Sequence, residues 1–181
     1  MQHLVLDEEV DVYYLCDVEE AEDVFSQVLT SRPRMVGLST ETTKGQEKEA
    51  LLQICVESVV YVYPLLHLPC PSSLKKILAS SNIIKSGVGL DEQACSLCKN
   101  YSLKLQGVLD LQKVALAMGY PGSSLLYLAK HHNLPLGNME KVKKDMYKIA
   151  WHKQLSSSHL EYAAREAWLC YLLIEKMLVK V

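Results

Sequence analysis

The fold class that the sequence predicts is α/β: a mixed β-sheet flanked by helices, with a helical C-terminal half. Three observations carry that prediction. Short apolar segments rich in β-branched and aromatic residues crowd positions 10–63, whereas helical spacing dominates from Asp91 onward. Hydrophobic residues make up 49% of the 181, enough for one sizeable core, so residues 1–181 are read as a single domain.

Val10 to Leu15 has strand character, and Glu19 to Leu29 carries Ala21, Val24, Phe25 and Val28 at helical spacing. Met35 to Thr40, Ala50 to Val56 and Val59 to Tyr63 follow with short polar links, which suits an antiparallel meander better than helix-linked crossovers. Pro71, Ser72 and Ser73 open a helix through Leu74, Ile77 and Leu78, and Ile83 to Ser86 reads as a further strand before Gly87. The later helices break at Gly119 to Ser123 and at Asn133 to Asn138. Ser158 and Glu161 have capping-box spacing and are expected to start the last helix.

Charge is unevenly placed. Nine acids and no Lys or Arg fall in the first thirty residues, leaving the remainder at +7 from 19 basic and 12 acidic residues. The densest basic stretch runs from Lys130 to Lys153 and contains Lys141, Lys143, Lys144 and Lys148, with His131, His132 and His152 among them. Such a stretch either follows a phosphate backbone through counterion release or is a solvated helix face.

Six scattered cysteines are too few to staple a chain of this size, and no secretory leader is read before them. Reduced thiols inside the cell, in cytoplasm or nucleus, are expected. Cys95 and Cys98 form a C-x-x-C without a second pair at zinc-finger spacing, so two buried helical cysteines are expected. The apolar run from Ala167 to Ile174 is cut by Glu175 and Lys176, too short for a membrane span. Trp168, Tyr171, Leu172, Ile174, Met177 and Leu178 are read as core, with a dimer or partner surface as the alternative.

The chemistry-bearing segments come in a fixed order. Val36-Gly37-Leu38-Ser39-Thr40-Glu41 is a strand in which Ser39 and Glu41, two positions apart, share a face about 6.6 Å apart. Leu51 to Val56 reads as the next strand. Gly87-Val88-Gly89-Leu90-Asp91-Glu92-Gln93 and Val108 to Ala115 follow, then Ser124 to Ala129 with Leu136-Gly137, and Trp151-His152-Lys153-Gln154-Leu155. In Tyr162-Ala163-Ala164-Arg165-Glu166-Ala167, Tyr162 and Glu166 stand i, i+4 on one helix face.

From Arg34 to Leu178 this order resembles the 3′-5′ exonuclease domains of the RNase D and Werner-helicase type, the DEDDy group, which implies a ribonuclease H-like fold. The resemblance also implies a two-metal phosphodiester hydrolysis held by four carboxylates. The family motifs V-G-[LF]-D-x-E and Y-A-A-x-D here read with Ser39 for the first Asp and Glu166 for the last. Gln93 stands four residues after the G-V-G, where the family has Asp. An amide oxygen cannot supply the charge that compensates for stripping water from a hard cation, and Glu166 adds a methylene of reach. Lys153 and Gln154 replace the family's Arg-Pro, and Asp110 matches an Asp that is structural in the family.

No catalysis is therefore expected from the degenerate positions Ser39, Glu41, Gln93, Tyr162 and Glu166, and no cofactor. The expectation is an inactive adaptor or scaffold in RNA processing or small-RNA pathways. It would bind single-stranded nucleic acid, RNA foremost, through Lys141, Lys143, Lys144, Lys148 and Lys153, or bind a protein partner or a second copy, with no membrane. Without metals, Glu41 and Glu166 are expected to repel an incoming phosphate. The alternative is a surviving exonuclease that holds Mg or Mn with Glu41, Glu166 and Asp91 or Glu92. Otherwise those last two are exposed acids at a helix N-terminus, where the dipole favours them.

Overall fold

The structure is a computed structural model that describes residues 1–178. Seven strands form one mixed sheet: β1 (Gln2–Leu6), β2 (Val10–Tyr14), β3 (Met35–Thr42), β4 (Glu49–Val56), β5 (Val59–Tyr63), β6 (Ile84–Gly87) and β7 (Val108–Asp110). Their spatial order is β1-β2-β5-β4-β3-β6-β7. The meander expected from short links is present, since β3 pairs antiparallel with β4 and β4 with β5. β6 then lies parallel to β3, and β7 parallel to β6.

Helices α1 (Val18–Ser31), α2 (Ser72–Ala79) and α3 (Leu90–Tyr101) cover one face of the sheet. Phe25, Ile77 and Leu97 meet Val36, Leu38 and Ile54 there. The opposite face carries α4 (Leu111–Ala117), α5 (Leu125–His131), α6 (Met139–Lys143) and the long α7 (Ser157–Leu178). A Cβ on Gly37 of β3 would stand 2.0 Å from the Ala167 carbonyl of α7, so glycine is what lets this helix lie directly on the strand. That close approach brings Glu166 over Ser39.

Polar groups inside the fold are mostly matched. Lys85 on β6 is fully buried, and its ammonium donates to the carbonyls of Ile77, Ser80 and Ile83. Burial lowers its pKa to about 8. The Glu22 carboxylate of α1 accepts from the amides of Ser72 and Ser73, so one helix caps the next. Arg165 on α7 is 1% exposed and donates to both oxygens of Asp7 in the β1–β2 turn, to the Pro135 carbonyl and to Glu161. Gly137 lies against this guanidinium at φ +48°, where a Cβ would come within 2.3 Å of Arg165 Cζ.

Several expectations need correction. The first strand does not begin at Val10, because Gln2–Leu6 precedes it and pairs antiparallel with Val10–Tyr14. The last helix is capped at Ser156, whose Oγ accepts from the His159 amide, and Glu161 turns instead to Arg165. Cys95 and Cys98 are helical but exposed, because the core stripe of α3 runs through Leu90 and Leu97. On α7, Trp168, Ile174 and Met177 are core, Tyr171 and Leu172 are half-buried, and Leu178 is exposed. Among the described residues no helix is long and apolar enough to cross a membrane.

Candidate functional site

The site forms where β3, the start of α3 and the first turns of α7 meet. Ser39 and Glu41 project from β3 toward α7 and are nearly buried, and the ladder to β4 shifts register just after Glu41. Glu166 on α7 accepts from Ser39 Oγ at 2.9 Å through Oε2 and from the Tyr162 hydroxyl at 3.0 Å through Oε1. Tyr162 is fully buried, not half-buried as a surface aromatic would be, with its ring stacked on Trp151 at 6.0 Å. Burial, followed by the charges of Glu166 and Glu41, raises its phenol far above the ordinary value.

Glu41 completes the cluster beside Glu166, and its Oε1 is buried without a hydrogen-bond partner. Burial first, and then the Glu166 charge, pushes the Glu41 carboxyl well above the usual carboxylate range. Burial raises Glu166 too, opposed by the hydrogen bonds from Ser39, Tyr162 and Glu41 and by the charge of Lys143. Two carboxyl groups buried beside one another disfavour being ionised together, and the pKa of each is raised.

Gln93 reaches the same place by its position on the first turn of α3. Its Oε1 accepts from Thr40 Oγ1 at 3.2 Å and its Nε2 donates to the Val88 carbonyl at 3.1 Å, so both ends of the amide are engaged. A cleft of about 210 Å³ opens over these groups, with Ser39, Gln93, Gln112, Ser124, Lys143 and Glu166 in its lining.

Asp91 and Glu92 are not brought to that cleft. Asp91 pairs with Lys113, and both acids line a separate open depression with Cys95, Ser96 and Lys99. Asp110 is structural: its carboxylate accepts from the amides of Gly89, Asp91 and Gln112 and so ties β7 and α4 to the start of α3. Among the described residues, no three His, Cys, Asp or Glu side chains gather as a metal-binding group.

The basic stretch divides. Lys143 faces the cleft and acts on Glu166, whereas Lys141 and Lys144 are exposed on and beside α6. Lys148 pairs with Asp145 and lies over the Tyr147 ring, 5.3 Å from its centroid. Lys153 is exposed in the turn after Trp151. Thr40, Gln112 and Cys170 line the cleft without having been singled out as site residues, and Lys143, expected only as a nucleic-acid contact, faces Glu166. The period of β3 puts Thr40 on the other face from Ser39, and nothing local tells which α6 lysine faces Glu166.

Comparison with known proteins bears on the family and the fold. The family described as 3′-5′ exonuclease matches residues 14–181. An Arabidopsis thaliana 3′-5′ exonuclease is 29% identical over 133 residues, which cover 67% of this chain and 42% of the relative. A Drosophila melanogaster exonuclease 3′-5′ domain-containing protein 2 is 27% identical over 131 residues, 71% of this chain and 22% of the relative. The chain therefore spans less than half of these curated relatives. Among solved structures, Escherichia coli RNase D superposes with a TM-score of 0.78 at 18% identity, covering 93% of this chain and 44% of that one. The EXD2 exonuclease domain soaked in Mn gives 0.53 at 27% identity, covering 93% and 89%. The mixed sheet and its flanking helices are thus the ribonuclease H-like fold of these nucleases, and this chain belongs to the 3′-5′ exonuclease family.

Proposed function

We propose that this domain is a non-cutting member of its family that binds single-stranded nucleic acid, RNA foremost, and serves inside the cell as an adaptor in RNA processing. The observation that carries the reading is the direct hydrogen bond from Ser39 to Glu166. Where the family has a carboxylate, a hydroxyl satisfies its neighbour, and the amide of Gln93 is likewise engaged. The donor set that remains is two glutamates, a hydroxyl and an amide. It does not fit a pair of divalent cations, whose combined charge needs several carboxylates around it.

Binding does not need the metals. Lys143 places an ammonium at the cleft beside Glu166. Glu41 and Glu166 both have raised pKa values, and this amine offsets the charge that they carry. The repulsion of phosphate expected from two bare carboxylates is reduced, and cleft and basic helix become one surface. Backbone phosphates held by Lys141, Lys143 and Lys144 release counterions, so affinity falls with added salt.

The test is degradation of a 3′-labelled single strand with Mg or Mn, run beside a Ser39→Asp, Gln93→Asp, Glu166→Asp variant. The unmodified chain is expected to bind the strand and leave its length unchanged, and shortening by that chain would overturn the reading. Shortening by the variant alone would support it, since only the ligands would then be missing.

A further inference from the structure

Beside the cleft stands an aromatic cluster that the site does not use. Tyr120 lies edge-on to His131 at 4.8 Å and to His132 at 5.9 Å, and Tyr127 stacks on His131 at 5.9 Å with 22° between the planes. The Tyr120 hydroxyl is 3.3 Å from His132 Nε2, which ties the loop before α5 to the end of that helix. Behind Tyr127 sits Gly122, where a Cβ would come within 2.7 Å of the ring. Tyr127 is thus backed on one side by the loop and fronted by His131, the member of the cluster that is exposed. Leu116 and Met118, at the end of α4, are 66% and 46% exposed.

A rigid, partly exposed stack of rings offers a face to another flat ring, and its neighbours indicate which kind. Lys130 of α5 pairs with Glu140 of α6, and Lys144 also acts on that carboxylate, so the basic helix lies directly against the aromatic one. Lys143 of α6 lines the cleft, as does Ser124, the N-cap of α5. Leaving the cleft, a chain therefore meets rings on α5 and amines on and beside α6. Alternating flat apolar and cationic contacts match the alternation of base and phosphate in an unpaired strand.

We propose that His131, backed by Tyr127 and braced by Tyr120, is a stacking platform for an unpaired base of a single-stranded nucleic acid whose phosphates run along Lys141 and Lys144. This rests on the nucleic-acid reading above and extends it from charge to the bases.

The experiment measures affinity for a single strand and for a copy carrying abasic sites, each made as RNA and as DNA, so that the tighter arm names the sugar. His131→Ala should weaken the base-bearing strand about fivefold or more and leave the abasic one unchanged. His131→Phe keeps a ring without a cation and should keep the affinity. Lys141→Gln with Lys144→Gln should weaken both strands alike and flatten the salt dependence. If His131→Ala weakens both strands equally or neither, while the lysine variant still weakens both, the platform falls and the nucleic-acid reading stands. If the unmodified chain binds no strand, both fall. Self-association abolished by His131→Ala, with no strand bound, would make the cluster a protein interface and overturn the proposal.

Discussion

Ser39 and Glu166, 127 positions apart in the chain, are joined by a 2.9 Å hydrogen bond from the serine hydroxyl to Glu166 Oε2. A carboxylate at position 39 would instead face Glu166 with like charge in a nearly dry site, a repulsion that a bound cation relieves. The Ser39→Asp, Gln93→Asp, Glu166→Asp variant should therefore melt below the unmodified chain in chelator and recover several degrees with Mn. The unmodified chain should melt at the same temperature with and without Mn. Thermal unfolding of both proteins in chelator and in Mn checks this.

Glu41 supplies a pH dependence of its own. Its folded pKa is raised above 4.5, chiefly by burial, so the folded state binds its proton more tightly than the unfolded chain does. The stability that this group contributes is complete below the unfolded value and is lost as pH rises through the folded one. Glu41→Gln replaces the titrating carboxyl with an amide that stays neutral at every pH. Urea unfolding at about pH 5 and about pH 8 should show the variant losing less stability between the two than the unmodified chain. An equal loss would mean that Glu41 is ionised in the fold.

The β1–β2 hairpin is held to α7 by Arg165 and Asp7. Arg165 is buried, and removing one partner of a buried pair costs about 3–5 kcal/mol. Arg165→Ala should fall at the lower end of that range, because Asp7 is 37% exposed and recovers water. Asp7→Ala should cost less, since Glu161 and the Pro135 carbonyl still receive the guanidinium. Arg165 holds the Asp7 carboxyl below 3.8, so this contribution is present above that value and is lost as pH falls through the lower, folded one. Chemical unfolding of both variants gives the ranking, and amide exchange in Gln2–Leu6 should quicken in both.

What the sequence could reveal followed from local pattern. The meander was legible because β3, β4 and β5 are apolar runs with short links. Of the residues that the family motifs singled out, Ser39, Gln93 and Glu166 line one cleft while Glu41 and Tyr162 are buried beside it. β1 was not legible, because its turn uses Asp7 and Glu8 at φ +49° and +62° where a hairpin signal relies on Gly or Asn. The partners Asp7 and Arg165 were hidden by 158 residues of separation. Cys95 and Cys98 misled because a C-x-x-C spacing says nothing of which side of α3 faces the sheet. The aromatic cluster was missed for a similar reason: His131 and His132 were seen as members of a basic run, and only the fold sets Tyr120 against them.

Lys85 offers a test of the buried polar network away from the cleft. Its ammonium is the donor to three carbonyls at the end of α2 and the start of β6, and Lys85→Met would leave them short of donors at a cost of about 1–3 kcal/mol. The pH dependence runs opposite to that of Glu41. With the folded pKa lowered to about 8 against 10.5 for an ordinary lysine, the unfolded chain binds more protons between those values. Stability from this group therefore rises across that window and is lost as pH falls back through the folded value. The neutral amine still donates two hydrogens, so two of the three carbonyls stay served as the charge leaves. Unfolding free energies of the two proteins at about pH 7 and about pH 10 should show the gap between them widening at the higher pH. A gap that narrows would mean that the lysine keeps its proton in the fold and that the three carbonyls, not burial, set its charge state.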